Sequence, residues 1–326
     1  MFSRHALTID AEEVAGEIEA AIREQVLGTL RRRGAVLGLS GGVDSSVVAA
    51  LCARALGKER VLALFMPERE CSGDALSLGR LVAEHLGIQA IEEPIGAVLE
   101  ASGCYARHDA AIRMVFPEFV TGWRFKVTLP SATQGARLNV STLTIELPGG
   151  GTRSARMPLD AYLQLVAAMN FKQRTRKTME YYHADRLHYA VAGTPNRLEY
   201  DQGFFVKQGD GAADIKPIAH LYKTQVYQLA RHLGVPEEVL RRPPTTDTYS
   251  MPQTQEEFYF GLPYEQMDLC LYGRNNGVPV AEVAAAAGLT PEQVERVYAD
   301  IDQKRRSTRY LHARPLLAAP VPEVAG

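Results

Sequence analysis

The 326-residue chain lacks several features that would assign it to a specialised class of protein. Its four cysteines include no Cys-x-x-Cys pair and its eight histidines show no His-x-x-x-His spacing, so neither a zinc site nor a redox dithiol is predicted. No stretch has the apolar length of a membrane span, and the N-terminal residues lack the apolar core of a signal peptide. We therefore expect a cytoplasmic protein with no membrane partner.

The chain also lacks an excess of charge of one sign. Its 36 lysines and arginines are balanced by 38 aspartates and glutamates, which gives a formal net charge of -2. This balance provides no overall basic surface for a nucleic acid, so no nucleic-acid partner is expected and any anionic ligand must be held locally. The content of 46% hydrophobic and 23% charged residues is typical of a globular chain with a sizeable core.

One turn is rich in small and polar residues. The stretch VLGLSGGVDSSVVAA, residues 36–50, joins a predicted strand at 35–39 to a predicted helix at 47–56. Adjacent glycines let backbone N–H groups approach an anion, and the N-terminus of the helix adds unpaired donors and a positive dipole end. The turn therefore predicts a phosphate cradle. Its expected members are Ser40, Gly41, Gly42, Ser45 and Ser46.

Asp44 lies inside this predicted cradle. Phosphate repels a carboxylate unless a divalent cation lies between them, so Asp44 indicates Mg²⁺ bound with a nucleotide. The alternative is an ordinary capped turn, in which Asp44 or Ser45 caps the helix and the glycines serve only the geometry. No lysine follows the glycines and the spacing is not Gly-x-Gly-x-x-Gly, so neither a Walker A loop nor a dinucleotide fingerprint is present.

The order of predicted elements indicates an α/β fold. Asp10 is a candidate cap for a helix that extends to about residue 33, and the strand and cradle follow it. A strand at 61–67, an amphipathic helix at 72–88 and a strand from residue 89 continue a βαβαβ rhythm. This rhythm predicts a doubly wound parallel sheet with helices on both faces and a nucleotide at the carboxyl ends of the strands.

The rhythm is interrupted between residues 105 and 157. Alternating β-branched residues around 139–145 and three consecutive glycines predict a β-rich insertion there. Helical spacing resumes at about 159–184, a strand ends at Thr194, and a further helix spans 222–234. Residues 290–326 are predicted to form a C-terminal helical tail.

Several further stretches are dense in donors and acceptors. NFKQRTR places Asn170 and Arg174 one turn apart, although a solvated helix face would look the same. GTPNRLE and KQGDGAAD supply hydroxyl, carboxylate and lysine groups near a strand end, and a surface turn is the alternative. Lys223 begins a helix, where the dipole disfavours a cation unless an anion is bound, and RRPPTTDTY could equally be a plain linker.

Taken together, these stretches resemble a known family. The ordered set SGGVDSS, NFKQRTR, GTPNRLE, GFFVKQGDGAADIKPI, LYKTQV, RPPTTD and QKRR is similar to the ammonia-dependent NAD synthetases, which are PP-loop ATP pyrophosphatases. The cradle alone is shared with asparagine synthetases, GMP synthetases and tRNA thiolases. The block KQGDGAADIKP is far more specific and narrows the resemblance to the NAD synthetases.

This resemblance implies that residues 1–326 form a single domain that makes an amide in two steps. The nicotinate carboxylate of deamido-NAD attacks ATP to give an acyl adenylate and pyrophosphate, and ammonia then displaces AMP. The resemblance implies ATP as co-substrate, Mg²⁺ as cofactor and a homodimer with the acceptor site at the subunit interface. No glutaminase-like domain is recognised in the sequence, so ammonia is expected to come free or from a separate protein.

Site residues carry over at matching positions. Catalytic roles are implied for Asp44, Lys207, Asp210 and Lys223. ATP or pyrophosphate contacts are implied for Ser40, Gly41, Gly42, Asp44, Ser45, Ser46, Thr194, Lys223 and Thr246. Binding of deamido-NAD is implied for Asn170, Arg174, Lys207, Asp210 and Asp214. Metal binding is implied for Asp44 and Glu199.

Two positions depart from the family pattern. Gln303 stands where the family usually has histidine, and Gln208 where it often has tyrosine. Both belong to the part of the pattern that binds the nicotinic acid half, so the alternative function is a paralogous PP-loop amide ligase for another carboxylic acid. An RNA-modifying thiolase would predict a basic stripe and paired cysteines, which the sequence lacks. A non-catalytic nucleotide-binding regulator would not need both predicted Mg²⁺ carboxylates.

Overall fold

The central sheet of the computed structural model is parallel, with strand order β3-β2-β1-β7. The structure describes residues 2–71, 73–128, 141–244, 250–251 and 254–323. The strands are β1 Ala35–Gly38, β2 Val61–Phe65, β3 Gln89–Glu92, β4 Phe125–Thr128, β5 Thr142–Glu146, β6 Thr152–Arg156 and β7 Ala190–Val191.

Helices account for most of the remaining regular structure. They are α1 Ala11–Arg23, α2 Val43–Leu56, α3 Gly73–Leu86, α4 Gly96–Ala101, α5 Cys104–Arg113, α6 Leu159–Leu187, α7 Arg197–Gln202, α8 Lys223–His232, α9 Glu237–Arg241, α10 Tyr264–Asn276, α11 Val280–Ala287 and α12 Pro291–Thr308. The Asp10 carboxylate accepts hydrogen bonds from two backbone N–H groups of α1, which confirms the predicted cap.

The strands of the parallel sheet bury side chains on both faces. Leu37 and Ala63 pack with α1, α2 and α8 on one face, whereas Val36 and Leu62 pack towards α6 on the other. Alternate residues of a strand point to opposite faces, so a strand covered on both sides has no polar face. This arrangement confirms the predicted α/β fold with helices on both faces of a parallel sheet.

Strand order determines where a ligand can bind. The chain proceeds from β1 to β2 and β3 on one side of the sheet, then returns to place β7 on the other side of β1. The carboxyl end of β1 is therefore the point at which the winding direction reverses. Open α/β sheets bind ligands in the crevice at such a point.

A second sheet is antiparallel, with order β4-β5-β6. Alternate side chains such as Phe125, Leu143 and Ile145 form a core with the first half of α6. Residues 105–157 thus contain this sheet, but they open with α5 rather than with a strand. The predicted β positions Asn139 and Val140 lie outside the described residues.

Two predicted helices end well before the positions expected from the sequence. The first leaves α-geometry after Arg23 and continues as a π-helical turn, Glu24–Thr29. The C-terminal tail is helical through α12 and a 3₁₀ turn, Arg309–Leu311, and residues 312–323 form no helix. Within the described parts of the chain, no helix combines the length and the apolarity needed to cross a membrane.

Candidate active site

A cleft of about 750 Å³ opens at the carboxyl edge of the parallel sheet. It lies where the strand order predicts a ligand, between the turn after β1, the middle of α6 and the start of α8. The cleft brings together nine of the residues predicted from the sequence. These are Ser40, Gly42, Asp44, Ser45, Asn170, Thr194, Glu199, Asp210 and Lys223.

The two glycines of the cradle have different structural roles. Gly41 has φ of +73°, and a Cβ there would lie 2.6 Å from the carbonyl oxygen of Ala75, so glycine is required for α3 to pack against the turn. Gly42 is the N-cap of α2, and no side chain caps this helix. The capped-turn alternative is therefore not what the structure shows. The first N–H groups of α2 have no side-chain acceptor, as an anion site requires.

The three serines of the cradle differ in exposure. The Ser45 and Ser46 hydroxyls both donate to the Gly42 carbonyl, over 3.0 and 2.8 Å. Ser46 is fully buried and does not line the cleft, so in this conformation its hydroxyl stabilises the turn on the side away from the cleft. Ser40 is exposed, lies 3.2 Å from the Ser45 hydroxyl, and lines the cleft with it.

Asp44 and Lys223 form an ion pair in the cleft. The buried Lys223 ammonium donates to Asp44 Oδ2, and the Asn196 side-chain amide donates to Asp44 Oδ1 over 3.2 Å. Burial alone would lower the pKa of Lys223, but Asp44 and the nearby Glu199 outweigh it and raise that pKa. Lys223 therefore stays charged where phosphates are predicted to bind.

Glu199 adds a second carboxylate to this group. One of its oxygens accepts from the Asn196 backbone N–H over 3.0 Å, in a capping box at the start of α7. Burial and the charge of Asp44 raise the pKa of Glu199 to about 8, although Lys223 acts in the opposite direction. Glu199 and Asp44 therefore repel each other even though the Lys223 ammonium is close to both.

The donor chemistry of this pair fits Mg²⁺. Mg²⁺ prefers oxygen ligands and is usually held by one or two carboxylates together with substrate phosphates. Asp44 and Glu199 provide such carboxylates beside the predicted phosphate cradle. Among the residues that the structure describes, no three His, Cys, Asp and Glu side chains gather into a group that could enclose a metal by themselves.

Asp268, from α10, positions Lys223 and was not predicted from the sequence. Its carboxylate accepts from the backbone N–H groups of Lys223 and Thr224, over 3.3 and 2.7 Å, and thus caps α8. The cap places negative charge at a helix N-terminus that begins with a cation. Asp268 is fully buried between Met267 and Leu269, and an acidic residue inside an apolar helical run is the signal that could have revealed it.

Helix α6 contributes more polar groups to the cleft than NFKQRTR predicted. Asn170 lines the cleft as expected, whereas Arg174 is exposed and donates to the Lys207 carbonyl over 3.2 Å. Arg176 and Glu180 line the cleft further along the helix. Glu180 is buried in an ion pair of 2.6 Å with Lys177, and burial raises the pKa of Glu180 despite this partner.

The KQGDG turn is folded on itself. The Asp210 carboxylate accepts from the Val206 N–H over 2.9 Å and lines the cleft. Lys207 does not line it, because its ammonium donates to the carbonyls of Tyr310 and Ala313 over 2.7 and 3.0 Å. The segment after α12 therefore holds the predicted catalytic lysine in this conformation.

The other predicted residues are divided between several locations. Asp214 accepts from the Val191 N–H over 2.7 Å and from the Tyr181 hydroxyl, and it does not line the cleft. Thr194, predicted to end the strand, lines the cleft three residues beyond the end of β7. Thr246 lies outside the described residues.

The residues that depart from the family pattern lie at the surface. Gln208 is exposed with a left-handed backbone, φ +61°, and Gln303 is exposed on α12. The two cations that follow Gln303 bind other groups of the protein. Lys304 donates to the Tyr259 carbonyl over 2.7 Å, and Arg305 forms a bidentate pair with Asp201 at 2.6 and 2.7 Å.

A buried charged network borders the cleft on the side of β2. Lys172 pairs with Glu68 over 3.3 Å and with Glu70. Arg69 bridges Glu70 and Asp109 over 3.1 and 3.2 Å. Lys172 and the three carboxylates of this network are almost fully buried, so the stability of each buried charge depends on its ion-pair partners.

The Asp109 end of this network is densely hydrogen-bonded. The carboxylate lies 2.8 Å from His108 Nδ1 and accepts from the Thr121 hydroxyl over 2.6 Å. Burial alone would raise the pKa of Asp109, but these hydrogen bonds and the charge of Arg69 lower it to about 2.

Comparison with known proteins identifies the family. The model of the NAD synthase family matches residues 14–146 and 137–310. The chain belongs to the NAD synthase family. It is 62% identical over 317 residues to a Mesorhizobium japonicum protein named NH(3)-dependent NAD(+) synthetase, covering 97% of this chain and 99% of the relative. A Thermotoga maritima protein of the same name is 36% identical over 265 residues, covering 81% and 86%.

Solved structures share the fold of this NAD synthase family member. An NMN synthetase from Francisella tularensis superposes with a TM-score of 0.65 at 22% identity, covering 95% of this chain and 99% of that one. An NH3-dependent NAD synthetase from Campylobacter jejuni gives a TM-score of 0.62 at 22% identity, covering 95% and 100%. The resemblance drawn from the sequence motifs is thus confirmed at the level of family and fold.

Proposed function

We propose that the chain is a ligase that makes NAD from deamido-NAD, ammonia and ATP, with AMP and pyrophosphate as the other products. The observation that carries this function is the convergence of the cradle, Asp44, Glu199 and Lys223 on one cleft. It is supported by relatives named NH(3)-dependent NAD(+) synthetase that align with nearly the whole chain.

The reaction has two balanced steps. In the first, a carboxylate oxygen of the nicotinate attacks the α-phosphorus of ATP, and pyrophosphate leaves with the electron pair of the broken P–O bond. In the second, ammonia attacks the acyl carbon, AMP leaves with the electrons of the C–O bond, and the nitrogen loses a proton. Adenylation is needed because a free carboxylate is a poor electrophile.

The cradle would stabilise the negative charge that develops on pyrophosphate as it leaves. The first N–H groups of α2 and the Ser40 and Ser45 hydroxyls are positioned to donate to phosphate oxygens. Lys223 supplies a cation that Asp44 and Asp268 already hold in place. Contacts of Thr194 and Thr246 with ATP belong to the same proposal. Positioning and charge neutralisation, rather than a protein nucleophile, would provide the rate.

Asp44 and Glu199 would hold Mg²⁺. When bound, the ion supplies a Lewis acid that offsets the negative charge of the phosphates. A bound cation would offset the repulsion between the two carboxylates, which together with burial raises the pKa of Glu199.

For deamido-NAD, the cleft provides part of the predicted set. Asn170 and Asp210 face the cleft and could contact the acceptor directly, with Asp210 helping to position ammonia. Arg174, Lys207 and Asp214 form contacts within the protein. Their binding of deamido-NAD requires new contacts, and for Lys207 this means exchanging the backbone carbonyls near the end of α12 for the ligand.

A homodimer is part of the proposal. Leu159 and Leu163, one turn apart on α6, are 72% and 55% exposed. Large apolar residues in such a row favour a partner helix or subunit. The same helix carries Asn170 and Arg174, so a partner packed there would lie beside the acceptor residues. The four unpaired cysteines are in keeping with the proposed cytoplasmic location.

The test measures pyrophosphate release and NAD formation with Mg-ATP and ammonium. Deamido-NAD is compared with no acceptor and with a panel of other carboxylic acids. Asp44→Asn should lower kcat/KM by about 10²–10³ because Lys223 loses its partner and one Mg²⁺ ligand is lost. Asp74→Asn, an exposed acidic residue in the first turn of α3, is the matched control.

The outcomes separate the two functions considered. Equal amounts of NAD and pyrophosphate, formed only with deamido-NAD, support the proposed function. Pyrophosphate release with another carboxylic acid, and none with deamido-NAD, would support the paralogous amide ligase. Turnover unchanged in Asp44→Asn would contradict the assignment of this cleft as the adenylation site.

A further inference from the structure

Five arginines line a second pocket at the opposite edge of the parallel sheet. We propose that this arginine pocket binds a small molecule that carries at least two phosphate groups. Its volume is about 530 Å³, and the five arginines are Arg31, Arg32, Arg33, Arg60 and Arg186. The proposal rests on this pocket alone and is independent of the reaction in the cleft.

Strand order brings these arginines together. Arg31 to Arg33 lie just before β1, Arg60 lies just before β2, and Arg186 lies in the last turn of α6 before β7. Because β2, β1 and β7 are neighbours and parallel, their amino ends meet at one edge. The pocket is thus separated from the cleft by the length of the strands.

The pocket has an excess of positive charge. No acidic residue lines it, and no arginine of the pocket forms an ion pair with a carboxylate anywhere in the described ranges. Two of the guanidinium groups instead contact histidine nitrogens: Arg32 with His188 over 2.9 Å and Arg186 with His183 over 2.9 Å. Like charges repel, so a pocket of this kind in a chain of net charge -2 is stabilised by a multivalent anion.

The backbone beneath the pocket is closely packed, while the side chains of Arg31, Arg33, Arg60 and Arg186 are exposed to solvent. A Cβ at Gly34 would lie 2.3 Å from the Arg60 carbonyl oxygen and 2.6 Å from the Tyr189 ring, so these segments approach each other over a glycine. The backbone N–H of Arg33 donates to the His188 carbonyl over 2.8 Å, and the backbone N–H of Arg32 donates to the Val26 carbonyl over 2.7 Å. The backbone that carries Arg32 and Arg33 is therefore fixed to neighbouring elements.

The shape of the pocket favours a small ligand. Leu27, from the π-helical turn, and Leu187 and Tyr189 provide an apolar side beside the arginines. The volume lies in the range of small-molecule sites. Guanidinium groups bind phosphate through paired N–H donors, which a point charge cannot do. A nucleic-acid duplex would instead require an extended basic stripe.

Isothermal titration with inorganic tripolyphosphate, at low salt and without Mg²⁺, tests the proposal on the full chain. Arg32→Ala/Arg60→Ala should weaken the pocket's binding by at least about tenfold, since each charge-assisted pair contributes strongly. Arg32→Lys/Arg60→Lys keeps the charge and should give an intermediate loss. Arg4→Ala/Arg80→Ala removes the same charge from exposed positions outside the pocket and should leave binding unchanged.

Lys223→Ala distinguishes this pocket from the cleft, because tripolyphosphate could also bind the predicted cradle. Binding that persists in Lys223→Ala and is lost in the arginine double variant supports the proposal. Absence of binding, or binding lost only in Lys223→Ala, would overturn it. Equal competition by a short DNA duplex would overturn the assignment to a small molecule.

Discussion

The two ends of the parallel sheet differ in whether their buried or clustered charges have partners of opposite sign. At the carboxyl end, Asp44 is paired with Lys223, and Lys172 with Glu68 and Glu70. At the amino end, five arginines line one pocket without a carboxylate. The first arrangement depends on every partner for its stability, whereas the second is held by backbone packing and tolerates repulsion. Removing a charge should therefore destabilise the fold at the carboxyl end and reduce the repulsion between arginines at the amino end.

The largest expected effect comes from removing the cation of the buried network. Lys172→Ala leaves Glu68 and Glu70 buried beside each other without their shared lysine, and the free energy of unfolding should fall by about 3–5 kcal/mol. Urea unfolding measures the change. Lys58→Ala, at an exposed lysine, is the control and should change stability by less than about 0.5 kcal/mol. A loss equally small in Lys172→Ala would show that the network does not depend on pairing.

Acid should weaken the same network through Asp109. Because its folded pKa is about 2, below the ordinary value of 3.8, its ionised form stabilises the fold above pH 4 and this contribution, about 2 kcal/mol, is lost as pH falls towards 2. The gap in unfolding free energy between the wild type and Asp109→Asn should therefore narrow from pH 5 to pH 3. Asp74→Asn should show no such narrowing, and a constant gap for Asp109→Asn would contradict the assignment.

Removing the cap of α8 should have a smaller effect. Asp268→Ala leaves the Lys223 and Thr224 N–H groups without their acceptor, which should cost about 1–2 kcal/mol of stability. It should also raise the KM for ATP, since Lys223 loses its positioning. Asp268→Asn retains one acceptor and should recover part of both losses. If both variants kept wild-type KM and stability, Asp268 would have no positioning role.

The smallest expected effect has the opposite sign. Arg60→Gln removes one of five like charges and should raise the free energy of unfolding by a few tenths of a kcal/mol at low salt, with no gain at high salt. Arg80→Gln removes an exposed arginine that is paired with Glu92 and should lower stability slightly or leave it unchanged. A stability loss in Arg60→Gln would show that the arginine pocket is not repulsive.

Local features of the structure could be predicted from the sequence. The apolar rhythm predicted the strands and helices of the sheet, and the string SGGVDSS predicted a turn at the carboxyl end of β1. These signals are carried by residues within one or two turns of each other. The same locality limits what the string reveals: the phosphate contact of Gly41 stays a prediction, and the structure adds that α3 packs too closely for any residue other than glycine there.

Long-range features could not be predicted in the same way. Asp268 caps α8 from 44 and 45 positions away, and no local pattern indicates that contact. The arginines at 31–33 are visible in the sequence, but their meeting with Arg60 and Arg186 depends on strand order. The predicted roles of Lys207, Arg174 and Asp214 toward the acceptor remain predictions.

Helix α6 has a mechanical consequence for both ends of the molecule. It extends over 29 residues, a length of about 40 Å at 1.5 Å per residue. Asn170 and Arg176 reach the cleft from its middle, and Arg186 reaches the arginine pocket from its last turn. Both sets of side chains belong to one continuous helix, so a rigid-body shift of α6 would displace them together. Substitutions along α6 should therefore be assayed at both ends.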